Sequence, residues 1–302
     1  MAKLEYKGFG NAFAGEDPLM FRAREIAVLR QLVHWNGGML LGTEIKKHME
    51  IGSISITGSP KELTFNPNSV NLTLSNRLRV YKYNRLYYSN ICGVSTSTII
   101  RDTLLHQEKY KEAVEILGKY NNANYFEFLR SNYNSFLLTL EENNIVSKAL
   151  DDLEKDLEEF DKYPKYLDMH KDNETMELII PETGMVLYPG IHYLGSTNER
   201  TIVNGFVPKI DGRSSIGRLG LSVHITAGFG DNGFDGTWTL EITVEEPLKI
   251  YPNEEICQIS FETACGDSNN PANIYRGRYY QQEGPTASRM YLGNLRKDDN
   301  NE

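Results

Sequence analysis

Between residues 211 and 241 the chain reads DGRSSIGRLGLSVHITAGFGDNGFDGTWTLE, its densest run of side chains able to bind or react. Arg213 and Arg218 bracket Ser214 and Ser215, Asp231 follows a glycine, and Glu241 closes the run. A planar guanidinium donates two parallel hydrogen bonds to an oxyanion, and hydroxyls beside it add to such a cage, so the first half suits phosphate. Two readings follow: a phosphate-binding cage, or a turn-rich hairpin carrying two surface arginines.

Composition narrows the classes. With 302 residues there is room for one large domain or two modest ones, and 40% hydrophobic with 24% charged residues is ordinary for a soluble globular protein. A formal net charge of -9 argues against a broad nucleic-acid-binding face, so an anionic ligand must be held by a local arginine cluster. Cys92, Cys257 and Cys265 are too few and too scattered for a disulfide framework or a zinc site, and read as inert filler. No apolar run has the length of a membrane span, and the first residues lack a signal peptide's apolar core. The expected setting is reducing and cytoplasmic.

The elements that must position the chemistry come next. Asp17 and Pro18 open a helix over Leu19–Trp35 that the Gly37-Gly38 pair ends; Met39–Leu41 reads as a short strand and Thr43–Glu50 as a short helix. These make 1–52 a helical N-terminal extension. Alternation over Ser53–Thr57, Ser69–Leu74 and Leu78–Tyr83 starts the β-structure. Residues 92–165 form a helical insertion, with helices read at Thr98–Lys119 and Tyr125–Leu140. A third carries a seam of Val146, Leu150, Leu153, Leu157 and Phe160 and ends at Pro164. Its acidic face (Asp151, Asp152, Glu154, Asp156, Glu158, Glu159) belongs either to a solvated hairpin packing on itself or to an appendage that docks a protein partner. Short strands then recur at Met176–Ile180, Met185–Leu187, Gly190–Leu194, Arg200–Phe206, Ser222–Thr226, Thr237–Thr243 and Ile256–Phe261, punctuated by Gly, Pro and Asn turns. The expected architecture is a mainly β core over 53–91 and 166–290, of sandwich, jelly-roll or barrel type, with a disordered tail at 291–302.

Four ordered motifs carry a resemblance. Asn66 to Leu74 (NPNSVNLTL), Pro189 to Glu199 (PGIHYLGSTNE), the Gly212–Leu221, Val223–Gly228 and Asp231–Gly236 blocks, and Tyr279 to Arg289 together resemble the dCTP deaminase family, over about two-thirds of the chain. The resemblance implies a dUTPase-like distorted β-barrel or jelly roll, assembled as a homotrimer with active sites at subunit interfaces. It implies deamination of dCTP to dUTP and ammonia, with a bifunctional enzyme that carries dUTP on to dUMP and pyrophosphate, or a non-catalytic nucleotide sensor, as alternatives. No His-x-Glu and Pro-Cys-x-x-Cys pair occurs, so a zinc-free, carboxylate-assisted attack of water on C4 of cytosine is expected.

On the same resemblance, Glu241 is the general base, Arg218 orients it, and Ser214 places the water or the amino group. Arg213, Ser215, Arg278 and Gln282 contact the triphosphate alongside Ile216 and Gly217 of the same turn. Thr239 and Leu240 offer strand backbone to the base, Asp231 meets the deoxyribose 3′-hydroxyl, and Gln258 and Tyr275 complete the substrate contacts. Magnesium rides on the phosphates and no protein-built metal site is expected. His224 reads as a packed strand histidine rather than a base, and Trp238 lines either site or core. Asn71 stands where the family usually has Asp.

Overall fold

The computed structural model describes residues 38–82, 103–120, 138–160 and 162–293. The helix expected at Leu19–Trp35 lies outside the described residues, as do residues 125–137 of the helix expected at Tyr125–Leu140 and residues 294–302 of the tail expected at 291–302, whose first residues belong to a 3-10 turn, Met290–Leu292.

Strand-forming alternation produces eleven described strands: β1 (Ile54–Thr57), β2 (Val70–Thr73), β3 (Arg77–Tyr81), β4 (Thr175–Ile179), β5 (Met185–Leu187), β6 (Tyr193–Val203), β7 (Phe206–Gly212), β8 (Leu221–Ser222), β9 (Asp235–Val244), β10 (Leu248–Ile250) and β11 (Glu255–Thr263). Every described pairing of these strands is antiparallel. The largest sheet runs β4-β3-β6-β9-β8 with β1 also on β6, a second runs β2-β11-β7, and β10 pairs β5. The mainly β reading therefore holds. Inward residues such as Leu72, Leu78, Tyr193, Ile242, Ile259 and Phe261 form one apolar cluster between the sheets.

The strands differ from the sequence expectation where a bulge or a proline hides the period. Gly190–Leu194 and Arg200–Phe206 are not two strands: one strand, β6, runs through, with its register to β9 shifting between Ser196 and Arg200. The buried Glu199 sits in that irregular stretch and accepts hydrogen bonds from the Thr73 N–H (2.9 Å) and hydroxyl (2.8 Å), stapling β6 to β2. Strand β7 was hidden by Pro208, tolerated because β11 is its one ladder partner in the sheet. Of Ser222–Thr226 only Ser222 is strand; residues 223–230 leave the ladder as an irregular loop.

Three described helices exceed one turn: α1 (Gly42–Glu50), α2 (Lys111–Tyr120) and α3 (Leu140–Phe160). The N-terminal extension was drawn through residue 52, but α1 belongs with the β core. Ile45 is fully buried, Leu40 N–H donates to Phe261 O and Gly42 N–H to Pro67 O, and contacts divide the chain after Gly38. The helix read over Thr98–Lys119 is broken near Gln107 and resumes through a 3-10 turn, Glu108–Tyr110, into α2. The α3 seam is real at Val146 and Leu153; Val146 packs with Ala113, Ile116 and Leu117 of α2, while Leu153 joins the main apolar cluster. The hairpin is thus anchored to the core as well as to itself. No described helix is long and apolar enough to cross a membrane.

Just before α2, His106 is buried beside Leu104 and Leu105, and burial pushes its imidazole down from 6.5 to about 4. The unfolded chain takes up that proton first. The contribution to stability is therefore complete above about pH 6.5 and is lost as pH falls toward about 4, at up to about 1.4 kcal/mol per pH unit. Thermal melts across this window should show a falling midpoint, and a His106→Gln variant a shallower fall.

Candidate active site

Strand β9 is the spine of the site. One edge is zipped to β6 from Tyr193↔Ile242 to Ile202↔Asp235. The other edge is met piecewise: Thr237 N–H donates to Gln282 O (3.0 Å), Glu241 N–H to Val223 O (2.9 Å), and β8 pairs only at Thr243 and Val244. By the two-residue alternation of a strand, the Thr239 peptide groups point to that second edge, in the gap between the two anchors. Leu240 faces the other way, 1% exposed and opposite Gly195. Of the two strand residues expected at the base edge, Thr239 is on the cavity side.

A cavity of about 360 Å³ opens over this gap. It brings together five of the residues named from sequence: Asp231, Thr239, Glu241, Tyr275 and Gln282. Tyr81, His192, Phe229, Phe234, Trp238, Tyr279, Thr286 and Ser288 also line it. Trp238 belongs to both cavity and core, stacked on Phe234 at 4.1 Å between ring centroids.

Loop 223–230 fixes the carboxylate. It is stitched to β7 by Gly230 N–H to Pro208 O (2.7 Å) and Ile210 N–H to Gly228 O (2.5 Å), and from there Ile225 N–H donates to Glu241 Oε2 (2.8 Å). Asp231 is set by its neighbour. The Asn232 side chain accepts from Gly205 N–H (2.7 Å) and donates to Ser268 O and Asn273 O (2.9 Å each), tying three loops to the turn that carries Asp231. His224 lies on this irregular loop rather than on a strand, half-buried, with Nε2 3.7 Å from Asp211 Oδ1 and outside the cavity lining. The Cys257 thiol is fully buried and burial pushes its pKa well up, so it is no nucleophile.

The segment from Arg276 to Leu292 closes the cavity and hangs on hydroxyls. Ser288 N–H donates to Tyr81 OH (2.9 Å), Arg289 N–H to Tyr279 OH (3.0 Å), Tyr279 N–H to Tyr275 OH (3.1 Å), and Gly284 and Thr286 N–H to the hydroxyls of Thr237 and Thr239 (2.9 and 3.2 Å). Burial raises the Tyr81 and Tyr275 pKa values, so both phenols stay neutral and keep a proton to donate. Gln282 is folded inward, 7% exposed, with Nε2 on Thr237 O (2.9 Å).

The other expected residues are elsewhere. Ser214, Ser215, Ile216 and Gly217 make a one-turn helix, α4 (Ser214–Gly217), flanked by Arg213 and Arg218; none of the six lines the cavity, and Ser214, Ser215 and Arg218 are exposed. Arg278 donates from Nε to Gly293 O (2.7 Å). Gln258 is committed to the root of the α4 turn, donating to Gly212 O (3.1 Å) and accepting from Ser69 (2.9 Å). The chain therefore presents a cavity with a held carboxylate and, apart from it, an exposed ledge of arginine and serine. Tyr81 and His192 were missed by sequence reasoning. The first looked like any strand-end aromatic, although His192 lies inside a quoted motif.

Gly236 makes the closure possible. Its φ of +149° is a glycine conformation, and a Cβ there would stand 2.8 Å from Gln282 O. Gly236→Ala should loosen the closing segment, raising amide exchange at Gly284, Thr286 and Ser288 about tenfold while β6 and β9 stay protected.

Comparison with known proteins gives a consistent result. The family model described as "dCTP deaminase-like" matches residues 138–264. The chain is 44% identical over 182 residues to the "dCTP deaminase, dUMP-forming" of Clostridium botulinum (strain Eklund 17B / Type B), covering 60% of this chain and 94% of that protein. It is 48% identical over 139 residues to the protein of the same name from Leptospira biflexa serovar Patoc (strain Patoc 1 / Ames), covering 46% and 77%. Among solved structures, the 2′-deoxycytidine 5′-triphosphate deaminase from Agrobacterium tumefaciens matches at 16% identity with a TM-score of 0.38, over 76% of this chain and 49% of that one.

Proposed function

This chain belongs to the dCTP deaminase family, and on that premise we propose that it deaminates dCTP and carries the product on to dUMP, releasing ammonia and pyrophosphate. The observation that carries the reading is the held carboxylate. Glu241 sits in the cavity with one oxygen on the Ile225 N–H, beside the strand edge at Thr239 where a pyrimidine can lay its polar edge.

In the first half-reaction the Glu241 carboxylate takes a proton from water as the oxygen attacks C4 of the cytosine ring. The tetrahedral carbon then expels the amino group, which leaves as ammonia with the proton that Glu241 returns. The Ile225 N–H leaves the second carboxylate oxygen to face the water, and fixing that geometry before substrate arrives removes part of the barrier. Asp231 meets the 3′-hydroxyl, and the aromatic wall of Phe234 and Trp238 backs the cavity. In the second half-reaction a further water splits dUTP to dUMP and pyrophosphate. The dUMP-forming name of the Clostridium botulinum relative favours this over release of dUTP.

The cavity and the α4 ledge would work together. Arg213, Ser214, Ser215 and Arg218, with Ile216 and Gly217 shaping the turn, would come to the Glu241 cavity from a neighbouring copy in a homotrimer. There Arg218 would orient Glu241 and Ser214 the water, while Arg213 and Ser215 hold phosphate with Arg278 and Gln282 of the closing segment. Magnesium would arrive on the triphosphate and neutralise part of its charge there.

Two measurements test the reading. With dCTP and magnesium, the protein should release ammonia, dUMP and pyrophosphate in equal amounts, and Glu241→Gln should lower kcat about 10²- to 10⁴-fold. Tight dCTP binding without turnover would refute it. Mixing Glu241→Gln chains with Arg218→Ala chains, each inactive alone, should restore activity after subunit exchange; no recovery would place the work of cavity and ledge within one chain.

A further inference from the structure

The root of the α4 turn holds a polar network that the deamination chemistry does not use. Glu255 opens β11, and the β11–β2 register shifts between Glu255 and Cys257. Its carboxylate accepts from Thr64 Oγ1 (2.5 Å) and from Asn71 Nδ2 (2.8 Å) and pairs with Arg213 Nη2 at 3.0 Å, while its carbonyl takes Arg213 Nη1 at 2.8 Å. Asn71, 4% exposed, is oriented in turn: its Oδ1 accepts from Asn66 Nδ2 at 2.7 Å, so its amide must donate toward Glu255. Arg213 donates one hydrogen bond to the Glu255 carbonyl and pairs a second guanidinium nitrogen with its carboxylate, two contacts that together set the plane of the guanidinium.

We propose that Glu255, oriented by Asn71, is a positioning residue that presents Arg213 to the substrate triphosphate. The proposal rests on the reading of Arg213 as a phosphate ligand. A surface arginine has many rotamers, and holding it in one spares the cost of ordering it when phosphate binds. The network also gives Asn71 a reason. A carboxylate at position 71 would stand within hydrogen-bonding distance of Glu255 and oppose it, whereas the amide donates. Burial pushes the Glu255 carboxyl up, but the hydrogen bonds from Thr64 and Asn71 and the charge of Arg213 outweigh it and hold it below the usual range.

The experiment is a variant series on the full chain, read as KM against kcat for dCTP, with folding checked by melting. Arg213→Ala should raise KM; if it does not, the phosphate-ligand reading falls, and this proposal with it. Glu255→Gln should raise KM about tenfold with kcat changed less than about twofold, since what is lost is ground-state phosphate binding. Asn71→Asp, of the same side-chain size, should raise KM too, and the penalty should shrink as pH falls and the facing carboxylates share a proton. The double variant N71D/E255Q reverses the pair, with the amide now at 255, and should bind dCTP better than either single variant. Affinity for deoxycytidine, which has no phosphate, should stay the same throughout. An effect of Arg213→Ala on KM without any of Glu255→Gln, or a double variant no better than the worse single one, would overturn the proposal.

Discussion

The β6–β9 ladder is the constraint on which the rest depends. It joins the two longest described strands, and it commits one edge of β9 to hydrogen bonding, with the Trp238 N–H going to Thr197 Oγ1 where the register shifts. A strand so fixed must satisfy its other edge locally, because unpaired peptide groups in an apolar surround are costly. Three unrelated pieces of chain do this: loop 223–230 at Glu241, the closing segment at Thr237, and the two-residue β8 at the far end. The cavity opens over the stretch between the first two of these, at Thr239.

That arrangement explains what was legible in the sequence. Alternation gave the mainly β class, because period two survives wherever a strand buries one face. It failed where tertiary contacts override the period. Residues 196–200 break the pattern because Glu199 turns inward to Thr73, which a sequence reading takes for a gap between strands. Pro208 reads as a breaker, and Ile45 as part of a separate extension, because only the folded partner reveals that each belongs to the core.

The candidate site was legible to different depths for the same reason. Glu241, Asp231, Thr239, Tyr275 and Gln282 converge on one cavity, and the sequence blocks pointed there. The hydrogen bond that holds Glu241 comes from the backbone of Ile225, and no side-chain motif can announce a main-chain donor. Gln258 was expected among the substrate contacts; in this chain its side chain donates to Gly212 O and accepts from Ser69 at the root of the α4 turn, a geometry set by the β11–β2 and β11–β7 pairing. Tyr81 and Tyr279 act by accepting main-chain N–H groups from a segment about two hundred and about ten residues away respectively, a geometry that only closure creates.

Charge then sets the division of labour. A chain of net charge -9 repels a triphosphate at long range, so the ligand must be captured at short range by few, well-aimed cations. An arginine paired to a carboxylate looks like a poor choice, since its charge is already countered. Capture at contact distance, however, depends on direction as much as on charge, because bidentate phosphate bonds demand a fixed guanidinium plane. Arg213, held to a single residue by one hydrogen bond and one ion pair, has that plane set in the free chain. Arg218 stands on the exposed side of the same turn, so the proposed division, Arg213 for phosphate and Arg218 for the base, follows from one arginine being held and the other left at the surface.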